Sequence, residues 1–110
     1  MPLLERVRVE VYLPDLPSGS YRDLLLAFEE EFTYAFGDCT IVRSIQGNYL
    51  SHSGVNIQDR INLIYTDLPL ALSTNFESVA RYADEVKEAA FKDLSEEAIL
   101  VVVTQIYHAV

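Results

Sequence analysis

Apolar and polar residues alternate from Arg6 to Leu13, with Val7, Val9, Val11 and Leu13 on one parity and Arg6, Arg8, Glu10 and Tyr12 on the other. That period of two predicts a half-buried strand. Pro14 to Ser20 carries two prolines and a glycine and reads as a loop. The period then changes to that of a helix: Leu24, Leu25, Phe28, Phe32, Ala35 and Phe36 share one face, Ser20 and Asp23 have the spacing of a capping box, and Gly37 is a natural stop. Thr40 to Gln46 is a second, weaker strand. Gly47 to Asp59 turns polar and glycine-punctuated, which fits either one long hairpin with Ser51 to Gly54 at its tip or a mobile loop. Arg60 to Asp67 is a third strand, with Ile61, Leu63 and Tyr65 on one face and Asn62, Ile64 and Thr66 on the other. A second helix is expected from Ser73 or Thr74 to about Leu94, with Val79, Ala83, Val86, Ala90 and Leu94 on its apolar face and a further capping box in Thr74 and Glu77. Tyr82, Ala80, Ala89 and Phe91 widen that face.

The chain ends in Ala98-Ile-Leu-Val-Val-Val-Thr-Gln-Ile-Tyr-His-Ala-Val110, which is apolar at both parities. As a strand it puts oily side chains on both sides of a sheet, so it has to be covered twice. The chain's own helices supply one cover; the other must come from more chain or from a second molecule.

Strand, helix, strand, strand, helix, strand is the order of two interleaved β-α-β units. With short, right-handed connections it gives an α+β, ferredoxin-like βαββαβ fold: a four-stranded antiparallel sheet with both helices on one face, the first and third strands central. At 110 residues the chain fits a single domain, 1–110, able to bury a core without staples.

Composition narrows the function. A net charge of −9, from 17 acidic against 8 basic residues, speaks against nucleic acid as a partner. No apolar run approaches the roughly 20 residues of a membrane helix, and the N-terminus has no basic segment followed by an apolar one. The expectation is a cytoplasmic protein with no membrane partner. Cys39 is the single cysteine, so there is neither an internal disulfide nor a cysteine cluster for a metal. Asp38 beside it works against a lowered thiol pKa, and a small buried filler is the expected role. His52 and His108 are the only groups that ordinarily titrate near neutrality. His52 is expected to be solvated in the polar turn, and His108 to sit at a frayed end or an interface; neither has a partner at metal-ligand spacing. No cofactor motif is present: the glycines fit no phosphate-cradling pattern.

The layout of the whole chain resembles small ferredoxin-like proteins, without a diagnostic motif. One group of them, the dimeric α+β barrel proteins, packs two such sheets face to face and includes monooxygenases, isomerases and heme-handling enzymes. Another, the PII-type signalling proteins, forms trimers that bind nucleotide and carries a long loop between the second and third strands, where this chain has Gly47 to Asp59. The join Lys92-Asp-Leu-Ser-Glu-Glu97 departs from the glycine-rich, basic loop of PII-type proteins, which argues against nucleotide. The chain is also similar to uncharacterised bacterial families of this size, a likeness that implies no function.

Three readings follow. In the first, a small domain of unassigned activity self-associates as a homodimer or other homo-oligomer. In the second, a barrel-type enzyme or ligand binder takes a small molecule on the helix-free sheet face, where Arg8, Glu10 and Tyr12 lie beside Asn62, Ile64 and Thr66 and beside Val101, Val103, Gln105 and Tyr107. Its ligand-binding residues are Arg8, Glu10, Tyr12, Asn62, Gln105 and Tyr107, among apolar walls. In the third, a PII-like regulator meets a partner through residues 47–59. Sequence leaves open which of the three holds, whether there is catalysis, and the stoichiometry.

Overall fold

A computed structural model of the chain describes residues 3–14, 19–50, 54, 56–93 and 99–109. The elements are β1 (Leu3–Pro14), α1 (Gly19–Phe36), β2 (Thr40–Leu50), β3 (Asn56–Leu68), α2 (Leu72–Asp93) and β4 (Leu100–Ala109). The four strands form one antiparallel sheet in the order β2-β3-β1-β4, which is the ferredoxin-like βαββαβ arrangement with β1 and β3 central. The expected His52, most of the hairpin tip and the join between α2 and β4 lie outside the described residues.

The core forms where the alternating face of β1 meets the helices. Val7, Val9, Val11 and Leu13 are buried to 1% exposure or less, and α1 lays Leu24, Leu25, Phe28 and Phe32 over them. Those four residues recur at three- and four-residue steps, so they fall on one side of a helix. Tyr21 joins them, whereas Ala35, expected on the same face, is exposed. Gly37 ends α1 with φ of 90°, the left-handed conformation a side chain resists, and its N–H closes back onto the Thr33 carbonyl at 2.9 Å. α2 contributes Val79, Val86 and Ala90. Its first turn is interrupted at Asn75 (φ −129°, ψ 20°), whose amide nitrogen donates to the Ala71 carbonyl at 2.8 Å. The break thus falls on Asn75, one residue after the Thr74 expected to cap the helix.

Strand lengths exceed those expected, and this shapes the molecule. β1 pairs with β3 only as far as Pro14 opposite Ile61, while β2 and β3 continue together to Leu50 opposite Asn56. The hairpin therefore runs on past β1 for five residues of β3, a ribbon of about 17 Å at the rise of an antiparallel strand. At the other end, Leu3 to Arg6 pair with β4 alone. The sheet is a staggered parallelogram with a two-stranded arm at each end, and the molecule measures 45 × 29 × 25 Å.

Within the hairpin, Val42 faces Leu63 and Ile45 faces Ile61, so Arg43 and Ser44 together oppose Asn62. This is a β-bulge: Ser44 takes a positive φ of 59°, and its N–H donates to Asn62 Oδ1 at 3.0 Å. Asn62 is 9% exposed and so acts as a fastener inside the sheet. Asn62→Ala is expected to lower the free energy of unfolding by about 1–2 kcal/mol, as for a lost buried hydrogen bond. Urea denaturation measures it, and an unchanged midpoint would mean that the bulge is held by other contacts.

Candidate functional site

Residues opposite one another in a sheet project from the same face, so the pairing registers decide which candidate residues meet. Arg8 is opposite Asp67 on one side and Thr104 on the other; Glu10 is flanked by Tyr65 and Val102, and Tyr12 by Leu63 and Leu100. These residues share the face without helices. Asn62, Ile64 and Thr66 stand opposite Leu13, Val11 and Val9, on the helix side, where all three are buried. Gln105 and Tyr107 stand opposite Val7 and Glu5, again on the helix side, as do Val101 and Val103. The expected constellation therefore divides: Arg8, Glu10 and Tyr12 occupy the helix-free face, and Asn62, Gln105 and Tyr107 the opposite one.

The physical cause is that two polar residues of β3 are consumed by structure. Asn62 pins the bulge, and Thr66 donates its hydroxyl to the Asp38 carbonyl at 2.9 Å, fixing the segment between α1 and β2. Gln105 donates to the Tyr107 hydroxyl at 2.7 Å, beyond the part of β4 that packs on the core. Cys39 packs against the core with the Thr33 hydroxyl 3.5 Å from its sulfur, consistent with a filler.

On the helix-free face the polar groups are already joined. Arg8 donates from Nε to Asp67 Oδ1 at 2.8 Å and from Nη2 to Oδ2 at 3.1 Å, and its guanidinium lies 4.1 Å from the centre of the Tyr65 ring. The bond to Asp67 raises the Arg8 pKa, against an opposing effect of burial. His108 Nε2 stands 3.4 Å from Asp67 Oδ2. Beside this group, Glu10 accepts from the Tyr12 hydroxyl at 2.6 Å and from Thr104 at 3.1 Å. The bond to Glu10 holds the Tyr12 proton and raises its pKa. Sequence reasoning missed Tyr65, Asp67 and Thr104 and gave His108 only a frayed end or an interface; the parity of Ile61, Leu63 and Tyr65, carried two residues further, reaches Asp67.

Around this polar island the face is apolar. Val42 and Leu63 flank it on one side, Leu100, Val102 and Ile106 on the other, and Val42 and Leu100 are 40% and 55% exposed. The Arg8–Asp67 pair, satisfied within the chain, suits a surface that is to be covered, because its desolvation leaves no orphaned charge, whereas Glu10 is held by two hydroxyls. Groups held in this way suit metal ligation less. Among the described residues no three His, Cys, Asp or Glu side chains gather into a metal-holding group, and no helix is long and apolar enough to cross a membrane.

A second feature lies on the far side of the molecule, between α1 and α2. Phe28, Phe32 and Phe36 stack along α1 at centroid distances of 5.9 and 6.4 Å, and Phe36 meets the Tyr82 ring edge-on at 5.4 Å. The Tyr82 hydroxyl is buried, with the Glu31 carboxylate close to it. Burial, with the Glu31 and Glu85 carboxylates adding to it, pushes its pKa up to about 12. The unfolded chain releases this proton near 10 and the folded one only near 12, so stability is expected to fall as the pH rises through that window. Tyr82→Phe should remove part of this alkaline loss and change stability at neutral pH by no more than about 1 kcal/mol, the net worth of one hydrogen bond. Urea denaturation at neutral pH and within the window tests both; a variant as alkali-sensitive as the parent would contradict the buried hydroxyl.

No protein-family model matches the chain, and no curated protein matches it. Solved structures do. CutA1 from Oryza sativa superimposes with a TM-score of 0.60 at 16% identity, covering 96% of this chain and 84% of that one. The divalent cation tolerance protein (Cut A1) from Thermus thermophilus gives a TM-score of 0.56 at 18% identity, covering 94% and 84%. At such identities the likeness is one of fold, and the fold is ferredoxin-like as in CutA1.

Proposed function

We propose that this chain is a self-assembling, PII-like binding protein of CutA1 type, in which copies cover one another's helix-free sheet faces. The observation that carries the reading is that face itself. Four strands about 4.8 Å apart make a surface of several hundred Å². Val42, Leu63, Leu100, Val102 and Ile106 border a polar island that is already paired within the chain. Exposed apolar side chains gathered on one face mark an interaction site. The staggered sheet supports the same reading, since each two-stranded arm has an unpaired edge that invites a neighbouring strand.

The role we propose rests on the fold likeness: a protein of this build is named for divalent cation tolerance, and our proposal gives the present chain that kind of task. The projecting β2–β3 hairpin gives the PII-like reading a second element, an arm of about 17 Å free to meet a partner protein.

Sedimentation velocity at tens of micromolar, with and without a divalent cation such as Zn²⁺ or Mn²⁺, tests the assembly. The expected result is a species of two or more times the 12.5 kDa of one chain, three being the number that the PII-type layout implies. A monomer under both conditions would overturn it.

A further inference from the structure

His108 belongs to β4 at the end of the sheet where β1 and β4 run on as a two-stranded arm. It stands opposite Leu4, with Ile106 beside it on the same side of β4, so it projects from the helix-free face. Its Nε2 nevertheless lies 3.4 Å from Asp67 Oδ2. Asp67 is on β3, opposite Arg8, which is four residues along β1 from Leu4. In a flat sheet that offset, about 13 Å along the strands and about 10 Å across two of them, would set the two Cα atoms roughly 16 Å apart. An imidazole and a carboxylate do not span such a gap. The arm therefore curls over the helix-free face, as sheet twist draws one diagonal pair of corners together, and it lays His108 on the surface that the assembly covers.

The charges around the imidazole come from β1 and β3. Arg6, opposite Ile106, and Arg8, opposite Thr104, project from the same face. Asp67 is the one carboxylate within ion-pair reach of His108 among the described residues, and Arg8 already engages both of its oxygens. Arg6 donates to the Glu5 carbonyl, a neutral group. The Glu5 and Tyr107 side chains point to the helix side. Glu10 lies two residues beyond Arg8, where the Tyr12 and Thr104 hydroxyls hold it. This end of the face thus carries two cations and one anion while His108 is neutral, and three cations against the same anion once it is protonated. In a single chain the His108 side chain is 45% exposed and water screens the added charge. Between copies it becomes a further like charge in a desolvated contact, repeated by every chain that joins.

We propose that His108 is a proton switch for the assembly: a proton taken up by its imidazole separates the copies, and its loss lets the helix-free faces close. The inference rests on the reading that those faces meet. The single chain binds more protons than the assembled one, so association strengthens as the pH rises. Histidine side chains change charge between about pH 7.5 and 5.5. One unit below the ordinary imidazole value of about 6.5, about one side chain in eleven is still neutral, so each joining chain loses about tenfold in association.

Sedimentation velocity of the full chain over a dilution series at pH 7.5 and 5.5, at one ionic strength, reads the midpoint of assembly, and circular dichroism follows the fold. The parent should assemble at pH 7.5, and at pH 5.5 its midpoint should move to at least roughly tenfold higher concentration with unchanged dichroism. His108→Gln, which stays polar but takes up no proton, should assemble alike at both. An equal midpoint for the parent at the two pH values, a His108→Gln variant that shifts as the parent does or fails to assemble at pH 7.5, or loss of the helical signal at pH 5.5 would each overturn the switch and leave the contact between faces standing. A parent that is monomeric at both pH values would overturn that contact, and the switch with it.

Discussion

Phe32→Ala is expected to lower the free energy of unfolding by about 3–5 kcal/mol, the range for removing a fully enclosed aromatic ring. Phe32 has no solvent exposure and lies in the middle of a ring ladder, with Phe28 at 5.9 Å and Phe36 at 6.4 Å. The variant loses the transfer energy of the ring, leaves a cavity against β1 that the strand cannot collapse to fill, and breaks two aromatic contacts. Phe36 in turn holds the Tyr82 ring edge-on at 5.4 Å, so the loss also loosens the junction of the two helices. Against a total stability of about 5–15 kcal/mol for a domain of this size, the variant stands near the edge of folding. Phe32→Leu keeps most of the volume and should cost less than about 1.5 kcal/mol, which keeps the prediction measurable if the alanine variant does not fold. Phe36→Ala, at a half-buried position, should fall between the two. Urea denaturation of the three reads the order; a Phe32→Ala cost below that of Phe36→Ala would displace the centre of the core.

Alternation within β1 showed its buried face because Val7, Val9, Val11 and Leu13 on that parity are all branched aliphatic side chains. The helices were equally plain, since Leu24, Phe28 and Phe32 keep one phase throughout α1. β3 was legible only in part. Its two parities could be separated, yet both mix apolar with polar residues, and polarity alone suggested that Asn62 and Thr66 faced the same way as Arg8 and Glu10. What decides the matter is register: Thr66 opposite Val9 and Asn62 opposite Leu13 put both under the helices. Each satisfies a backbone group there, Asn62 the Ser44 N–H and Thr66 the Asp38 carbonyl, and a buried polar group with a partner costs little. A hydropathy pattern carries no trace of such a partner, because the bulge that needs Asn62 exists only once β2 and β3 have paired. The same limit hid Asp67, which completes the Arg8 pair from the next strand.

The final strand carries the largest functional consequence. β4 has Val101 and Val103 against the core and Leu100, Val102 and Ile106 on the helix-free face, so it has a second apolar side, which no helix among the described residues covers. Leu100→Glu and Val42→Glu place a carboxylate on that face from its two edge strands, at positions 55% and 40% exposed. In a single chain both new carboxylates reach water, and the change in monomer stability is expected to stay within about 0.5 kcal/mol. In an assembly each becomes a charge enclosed without a partner, because Arg8, the nearest cation on the face, already holds Asp67 through two bonds. Enclosing an unpaired charge costs on the order of 3 kcal/mol or more, which is over a hundredfold in association. Sedimentation velocity should therefore show the parent as an oligomer and either variant as a folded monomer at the same concentration. Two variants that stay assembled would mean that the copies meet through the arm edges, leaving this face open to solvent. Two that unfold would instead identify Leu100 and Val42 as parts of the core of the single chain.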